Sequence, residues 1–152
     1  MAEAALRAEL ERAGLDGAVE VDSAGTGDWH LGERMDARAL AELLRRGYDG
    51  SGHRARQFGR SWFAGRDLVL AMDRRNLADL RRMAPDRETA RERILMFAAF
   101  GAADRDGEVP DPYGLDATAF GGVLDLVEEA ATGLAGELSK LLAGRDPRVP
   151  DS

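Results

Sequence analysis

The chain has 152 residues, with 21 Lys+Arg against 28 Asp+Glu and a net charge of −7, and its length argues for one domain. A hydrophobic fraction of 44% is enough for one core and argues against disorder. An acidic chain lacks the basic footprint that nucleic-acid backbones and anionic membranes select, so neither is expected as a partner. No apolar stretch approaches the roughly 20 residues of a spanning helix, no secretory leader opens the chain, and the cytoplasm is the expected compartment.

Cysteine is absent, which removes disulfides, thiolate metal sites and a cysteine nucleophile from these residues. His30 and His53 are the two histidines, too few for a His-rich metal site, so no metal is expected. A Ser-His-Asp arrangement is formally possible but has no nucleophile elbow to support it.

In chain order, Ala2 to Arg12 reads as a helix of strong formers, with Leu6 and Leu10 one turn apart and Gly14 as its C-terminal stop. No Ser, Thr, Asp or Asn precedes it to satisfy its first amides. Ala18 to Ser23 alternates apolar and polar residues around two valines, which predicts a strand breaking at Ala24-Gly25-Thr26-Gly27. A helix is expected near Asp36 to Arg46, with Leu40, Leu43 and Leu44 at helical spacing. Asp67 to Met72 holds a continuous apolar run, which predicts a strand covered on both faces. Asp73 then caps a helix Arg74 to Met83 that Pro85 stops.

Ile94 to Phe100 is a third apolar run, read as a strand although its length does not exclude a helix. After a polar loop from Gly101 to Gly114, a long helix from Ala117 to Leu142 aligns Phe120, Val123, Leu124, Val127, Leu134, Leu138 and Leu141 on one face. The domain is therefore expected to span residues 1–143, with 144–152 a disordered tail. Strands alternating with long helices point to an α/β fold with a parallel sheet.

Several motifs could carry chemistry. Gly25-Thr26-Gly27 follows a predicted strand, but the third glycine of a dinucleotide fingerprint would fall on His30, so a loop of turn formers is the simpler reading. Asp104-Arg105-Asp106 has the spacing of aspartyl-phosphate enzymes, yet Gly101-Ala102-Ala103 separates it from the apolar run, which favours an acidic turn. In Val109-Pro110-Asp111-Pro112-Tyr113-Gly114 the flanking prolines stiffen the backbone around Asp111, holding a carboxylate suited to general acid work. Taken alone, this segment is also an ordinary turn. Trp29 and Tyr113 are loop aromatics that could line a cleft for a planar ring or cap the core instead. His53 reads as a hydrogen-bonded structural residue.

Together, Met1-Ala2-Glu3-Ala4, Val21 to Thr26, Gly27 to Gly32, Gly52-His53-Arg54-Ala55-Arg56-Gln57, Leu70 to Leu77 and Pro110 to Gly114 resemble, in order, the low-molecular-weight protein tyrosine phosphatases. The resemblance implies a flavodoxin-like fold with a parallel sheet in the order 2-1-3-4. It further implies hydrolysis of a phosphotyrosine protein or aryl phosphate through a cysteinyl-phosphate, without metal or organic cofactor, by a monomer. In that family a Cys-five residues-Arg-Ser/Thr loop supplies the nucleophile and the arginine clamp. By the same resemblance Asp111 is the general acid and base, and Trp29 and Tyr113 are the walls of the substrate cleft. Ser23, Asp73, Asn76 and His53 are supporting residues. Gly114 departs from family members that carry a second aromatic after the tyrosine.

A larger departure lies at the start. The family's phosphate loop and first, central strand precede the segment matched by Met1 to Ala4, so nucleophile and clamp are absent from these residues. A start assigned too far downstream, a pseudophosphatase that binds without hydrolysing, and deliberate truncation are the competing explanations. Arsenate reduction on the same scaffold also requires cysteines.

Overall fold

The computed structural model describes residues 1–26, 32–101, 107–110 and 117–144. Helix α1 (Ala2–Arg12) opens the chain with no side-chain cap, as its sequence predicts, and buries Ala5, Leu6 and Leu10. Helix α2 (Ala37–Arg45) is capped by Asp36, whose carboxylate accepts from the Arg38 and Ala39 amides. Leu43 of α2 is buried, whereas Leu44 stands in solvent. Strand β1 (Val69–Ala71) leads into α3 (Arg74–Met83), where Asp73 accepts from the Asn76 amide at 2.7 Å. Helix α4 (Arg87–Glu92), strand β2 (Ile94–Met96) and helix α5 (Ala117–Ala143) follow.

β1 and β2 pair in parallel, with Val69 opposite Ile94 and Ala71 opposite Met96. Side chains along β1 alternate between two cores. Val69 and Ala71 join Phe58, Phe63, Leu80 and Ile94 in one cluster, beneath α3. Leu68, Leu70 and Met72 face the other, larger cluster, which α1 and α5 build. A strand covered on both faces is what an uninterrupted apolar run encodes. The result is a three-layer α/β arrangement, in which β1 and β2 correspond to the third and fourth strands of the expected order.

Three expectations need correction. Ala18 to Ser23 forms no strand; among the described residues the ladder contact nearby is an isolated parallel bridge between Gly25 and Gln57. Its pairing neighbour in the expected order is the first strand, which no described residue supplies, so alternation alone had nothing to pair with. The segment is held by side chains instead: Arg7 donates to the Val21 carbonyl at 2.6 Å, and Arg66 pairs with Asp22. Second, the Ile94 strand ends at Met96, and Phe97 to Phe100 tightens into a 3₁₀ turn. There Phe97 is buried in the larger core, joined by Ala98 and Phe100. Third, Leu141 is exposed, while Ala130 and Ala131 are fully buried on α5. Helix α4 and the 3₁₀ turn Arg60–Gly65 were not anticipated. The tail 145–152 lies outside the described residues.

The alanines on α5 reveal a close approach. A Cβ built on Gly133 would lie 1.9 Å from the Phe100 carbonyl oxygen, so helix and 3₁₀ turn touch backbone to backbone. Gly136, three residues on, meets nothing within 4 Å. Gly133→Ala is therefore expected to cost about 1–3 kcal/mol or more through overpacking. Gly136→Ala should instead gain about 0.5–1 kcal/mol from helix propensity. Urea unfolding of the two variants beside the parent checks the opposite signs.

Candidate active site

Candidate residues gather at two places. The first is the carboxyl end of β1 and the head of α3. There the Asp73 side chain is occupied in capping α3 through the Asn76 amide, so this pair shapes the helix start rather than presenting free groups. Two hydrogen bonds bring in the chain that precedes Asp111. The Val109 amide donates to the Met72 carbonyl at 2.8 Å, and the Arg74 amide donates to Glu108 Oε1 at 2.9 Å. Val109 itself is buried in the larger core. Ligands of open α/β sheets bind outside the carboxyl ends of the strands, which is the edge these bonds define.

The second place is the head of α1. His53 Nδ1 lies 3.9 Å from Glu3 Oε2, and Arg56 and Arg7 lie 3.6 Å and 3.7 Å from Glu3 Oε1. Glu3 Oε1 is buried and accepts no hydrogen bond from a described residue. Burial, the largest cause, holds the His53 imidazole below its ordinary pKa, opposed by Glu3. The head of a helix carries unpaired amides and a positive dipole end, a setting that favours anions.

Ser23 is half-buried and makes no hydrogen bond to another described residue. Its neighbour Asp22 is held below the usual carboxylate range chiefly by a hydrogen bond from Arg66. Arg66 in turn stacks on Trp62 at 4.1 Å, which ties this segment to the Arg60–Gly65 turn. Trp29, Asp111 and Tyr113 lie outside the described residues. Among the described residues the groups at the two helix heads share no hydrogen bond or ion pair, and no cluster of three or more His, Asp or Glu could hold a metal. Sequence reasoning missed Glu3, Arg56 and Glu108. The Glu3 and Arg7 spacing of four on one helix was the available signal for the first.

These features define an α/β domain with an anion-favouring helix head and a carboxylate-bearing loop tied to the sheet edge. The chain belongs to the low molecular weight phosphotyrosine protein phosphatases, whose family profile matches residues 1–143. By family it is thus a protein-tyrosine phosphatase, a phosphoric monoester hydrolase. A low molecular weight protein-tyrosine-phosphatase of Streptomyces coelicolor is 47% identical over 146 residues, covering 95% of this chain and 88% of the relative.

Among solved structures, a protein tyrosine phosphatase of Entamoeba histolytica with Hepes in its active site superposes with a TM-score of 0.84. It is 30% identical and covers 95% of this chain and 88% of that one. YfkJ from Bacillus subtilis gives 0.82 at 31% identity, covering 91% of this chain and 85% of its own. The flavodoxin-like fold follows from these likenesses and from the parallel sheet.

The depressed His53 pKa carries a testable sign. Folding lowers the pKa below the ordinary 6.5, so the unfolded chain binds more protons below that value. Stability is thus expected to fall as pH drops from about 7 towards 5.5, and His53→Gln should flatten that slope. Denaturant midpoints of parent and variant across this window are the measurement; parallel curves would show that His53 does not titrate against folding.

Proposed function

We propose that the protein hydrolyses phosphotyrosine through a cysteinyl-phosphate intermediate, with the thiolate and the arginine clamp supplied by a segment upstream of Met1. The observation that carries this reading is the anchoring of the chain just before Asp111 to the end of β1 through Val109 and Met72. That anchor stands two residues before Asp111, at the carboxyl edge of the sheet, where open α/β folds bind their ligands. The absence of cysteine from the 152 residues, with 88% of the Streptomyces relative covered, supports an upstream origin for the nucleophile.

In this reading the phosphate sits at the head of α1, cradled by backbone amides and the arginine, which stabilise the charge that spreads over the transferring phosphoryl group. The same positive surroundings lower the thiol pKa so that the thiolate attacks phosphorus. Asp111 protonates the departing phenolate, then takes a proton from the water that hydrolyses the cysteinyl-phosphate. Trp29 and Tyr113 flank the aromatic ring, and Ser23 and His53 brace the loop. Asp73 and Asn76 hold the start of α3, to which Glu108 is tied through the Arg74 amide.

A second reading, a pseudophosphatase that binds phosphotyrosine without turnover, is favoured by the missing nucleophile alone. A chain extended upstream to include the phosphate loop is expected to hydrolyse aryl phosphates. In it Asp111→Asn should lower kcat for poor leaving groups by about 10²- to 10⁴-fold, with a much smaller loss for good ones. Equal losses for both leaving groups, or none, would remove Asp111 from the role of acid. A tight phosphotyrosine complex with no turnover in the extended chain would establish the second reading.

A further inference from the structure

One pair of arginines is set against itself. Arg34 and Arg54 face each other across an isolated antiparallel bridge, beside which the Ala55 amide donates to the Glu33 carbonyl at 2.8 Å. The two arginines exchange no backbone hydrogen bond with each other. That is the closer kind of antiparallel pair, with Cα atoms about 4.5 Å apart and both side chains leaving on one face. Like charges directly opposite one another destabilise such a pairing. A local conflict of this kind, with no compensation inside the fold, is a mark of a functional position.

Among the described residues nothing offsets it. Both arginines are exposed. The Arg34 side chain has no hydrogen-bond or ion-pair partner among the described residues. Arg54 donates through Nη1 to the Ser51 and His53 carbonyls, at 3.2 and 2.7 Å, which fixes its guanidinium and leaves the Nε and Nη2 donors uncommitted. No carboxylate pairs with either. The stretch 53–66 holds four arginines and no carboxylate, in a chain whose net charge is −7. Its position ties the pair to the candidate site: Arg54 follows His53, whose Nδ1 lies 3.9 Å from Glu3 in the first turn of α1. Arg34 follows Trp29 by five residues.

We propose that Arg34 and Arg54 form an anion subsite that takes a second phosphate of the phosphoprotein substrate, on a side chain close in sequence to the phosphotyrosine. Two guanidinium groups without carboxylate partners offer two positive charges and a double fork of donors. A phosphate monoester near its dianionic state matches both, because its three oxygens accept from the two forks together. A carboxylate brings a single charge and leaves part of the repulsion standing. The overall charge of the chain repels phosphopeptides at long range, so selection for them falls to this local pair. As a substrate subsite it rests on the phosphatase reading; as a site for phosphorylated peptides it can be tested separately.

The test is fluorescence anisotropy with the 152-residue chain and labelled peptides that carry phosphoserine, aspartate or serine two residues from a central phosphotyrosine. That spacing puts both side chains on one face of an extended peptide, about 7 Å apart. The phosphoserine peptide is expected to bind about fivefold to tenfold tighter than the serine peptide at low salt, as two exposed ion pairs imply, with aspartate nearer to serine. Arg34→Gln should at least halve that ratio, and Arg34→Gln with Arg54→Gln should bring it to about 1. Because Arg34→Gln removes no described bond and relieves the opposition of like charges, its urea midpoint should rise above the parent's, which separates a lost site from a lost fold. Equal binding of phosphoserine and serine peptides, a ratio unmoved in the double variant, or a urea midpoint lowered by Arg34→Gln overturns the proposal. Aspartate binding as well as phosphoserine overturns the assignment to a second phosphate, and an oligodeoxynucleotide of matched charge that binds as tightly overturns the assignment to a peptide. In the chain extended upstream, kcat/KM for the phosphotyrosine should be several-fold higher in the phosphoserine peptide than in the serine peptide. No turnover of either there, with the arginine-dependent binding ratio intact, counts against the phosphatase reading and supports the pair as a phosphopeptide site.

Discussion

Strand β1 is covered on both faces, and most of the molecule is arranged by that constraint. A five-residue apolar run from Leu68 to Met72 cannot leave either face in water without exposing large side chains, so alternate residues are committed to different cores. One face requires α3 and the aromatic turn of Phe58 and Phe63. The other requires α1 and α5. The same strand sets the start of α3, because Asp73 follows immediately and caps it. It also receives the chain before Asp111 at the Met72 carbonyl. Core, helix start and candidate acid loop thus share one short element.

Arginine does much of the remaining joining in an otherwise acidic chain. Arg46 bonds Glu42 on its own helix and Asp125, Glu128 and the Gly121 carbonyl of α5, which fixes α2 across the last helix. These partners hold its guanidinium even more firmly protonated than usual. Arg66 does the same locally, between Asp22 and the Trp62 ring. Planar guanidinium groups suit such work because one side chain can meet several acceptors and an aromatic face. Along α3, Arg82 likewise pairs with Asp79.

Helices were the most legible part of the sequence. Ala2 to Arg12 and Arg74 to Met83 were readable to the residue, because strong formers, the Asp73 cap and Pro85 all mark local boundaries. Strand β1 was legible from its unbroken apolar run, although only Val69 to Ala71 are paired. Ala18 to Ser23 shows the limit of this kind of reading: alternation marks a residue's two faces, but a strand exists only when another backbone lies beside it. Helix α4 was missed because six residues carry too little periodicity to register, despite the Asp86 cap. At the candidate site, Asp73 was visible as a helix cap. The Glu3, His53 and Arg56 association joins positions fifty residues apart, and no local rule exposes that.

The Val109–Met72 bond also divides the polar loop into two parts with different tolerances. Downstream of it, only Pro110 separates the anchored Val109 from Asp111, so a change in length there alters the tether of the candidate acid directly. Upstream, between Gly101 and Glu108, the chain joins two points already fixed by packing and hydrogen bonds. Lengthening such a connection costs only about 0.6 kcal/mol for each doubling. That stretch is therefore a natural graft point, where a foreign segment could be spliced in while the Glu108 and Val109 anchors keep their partners.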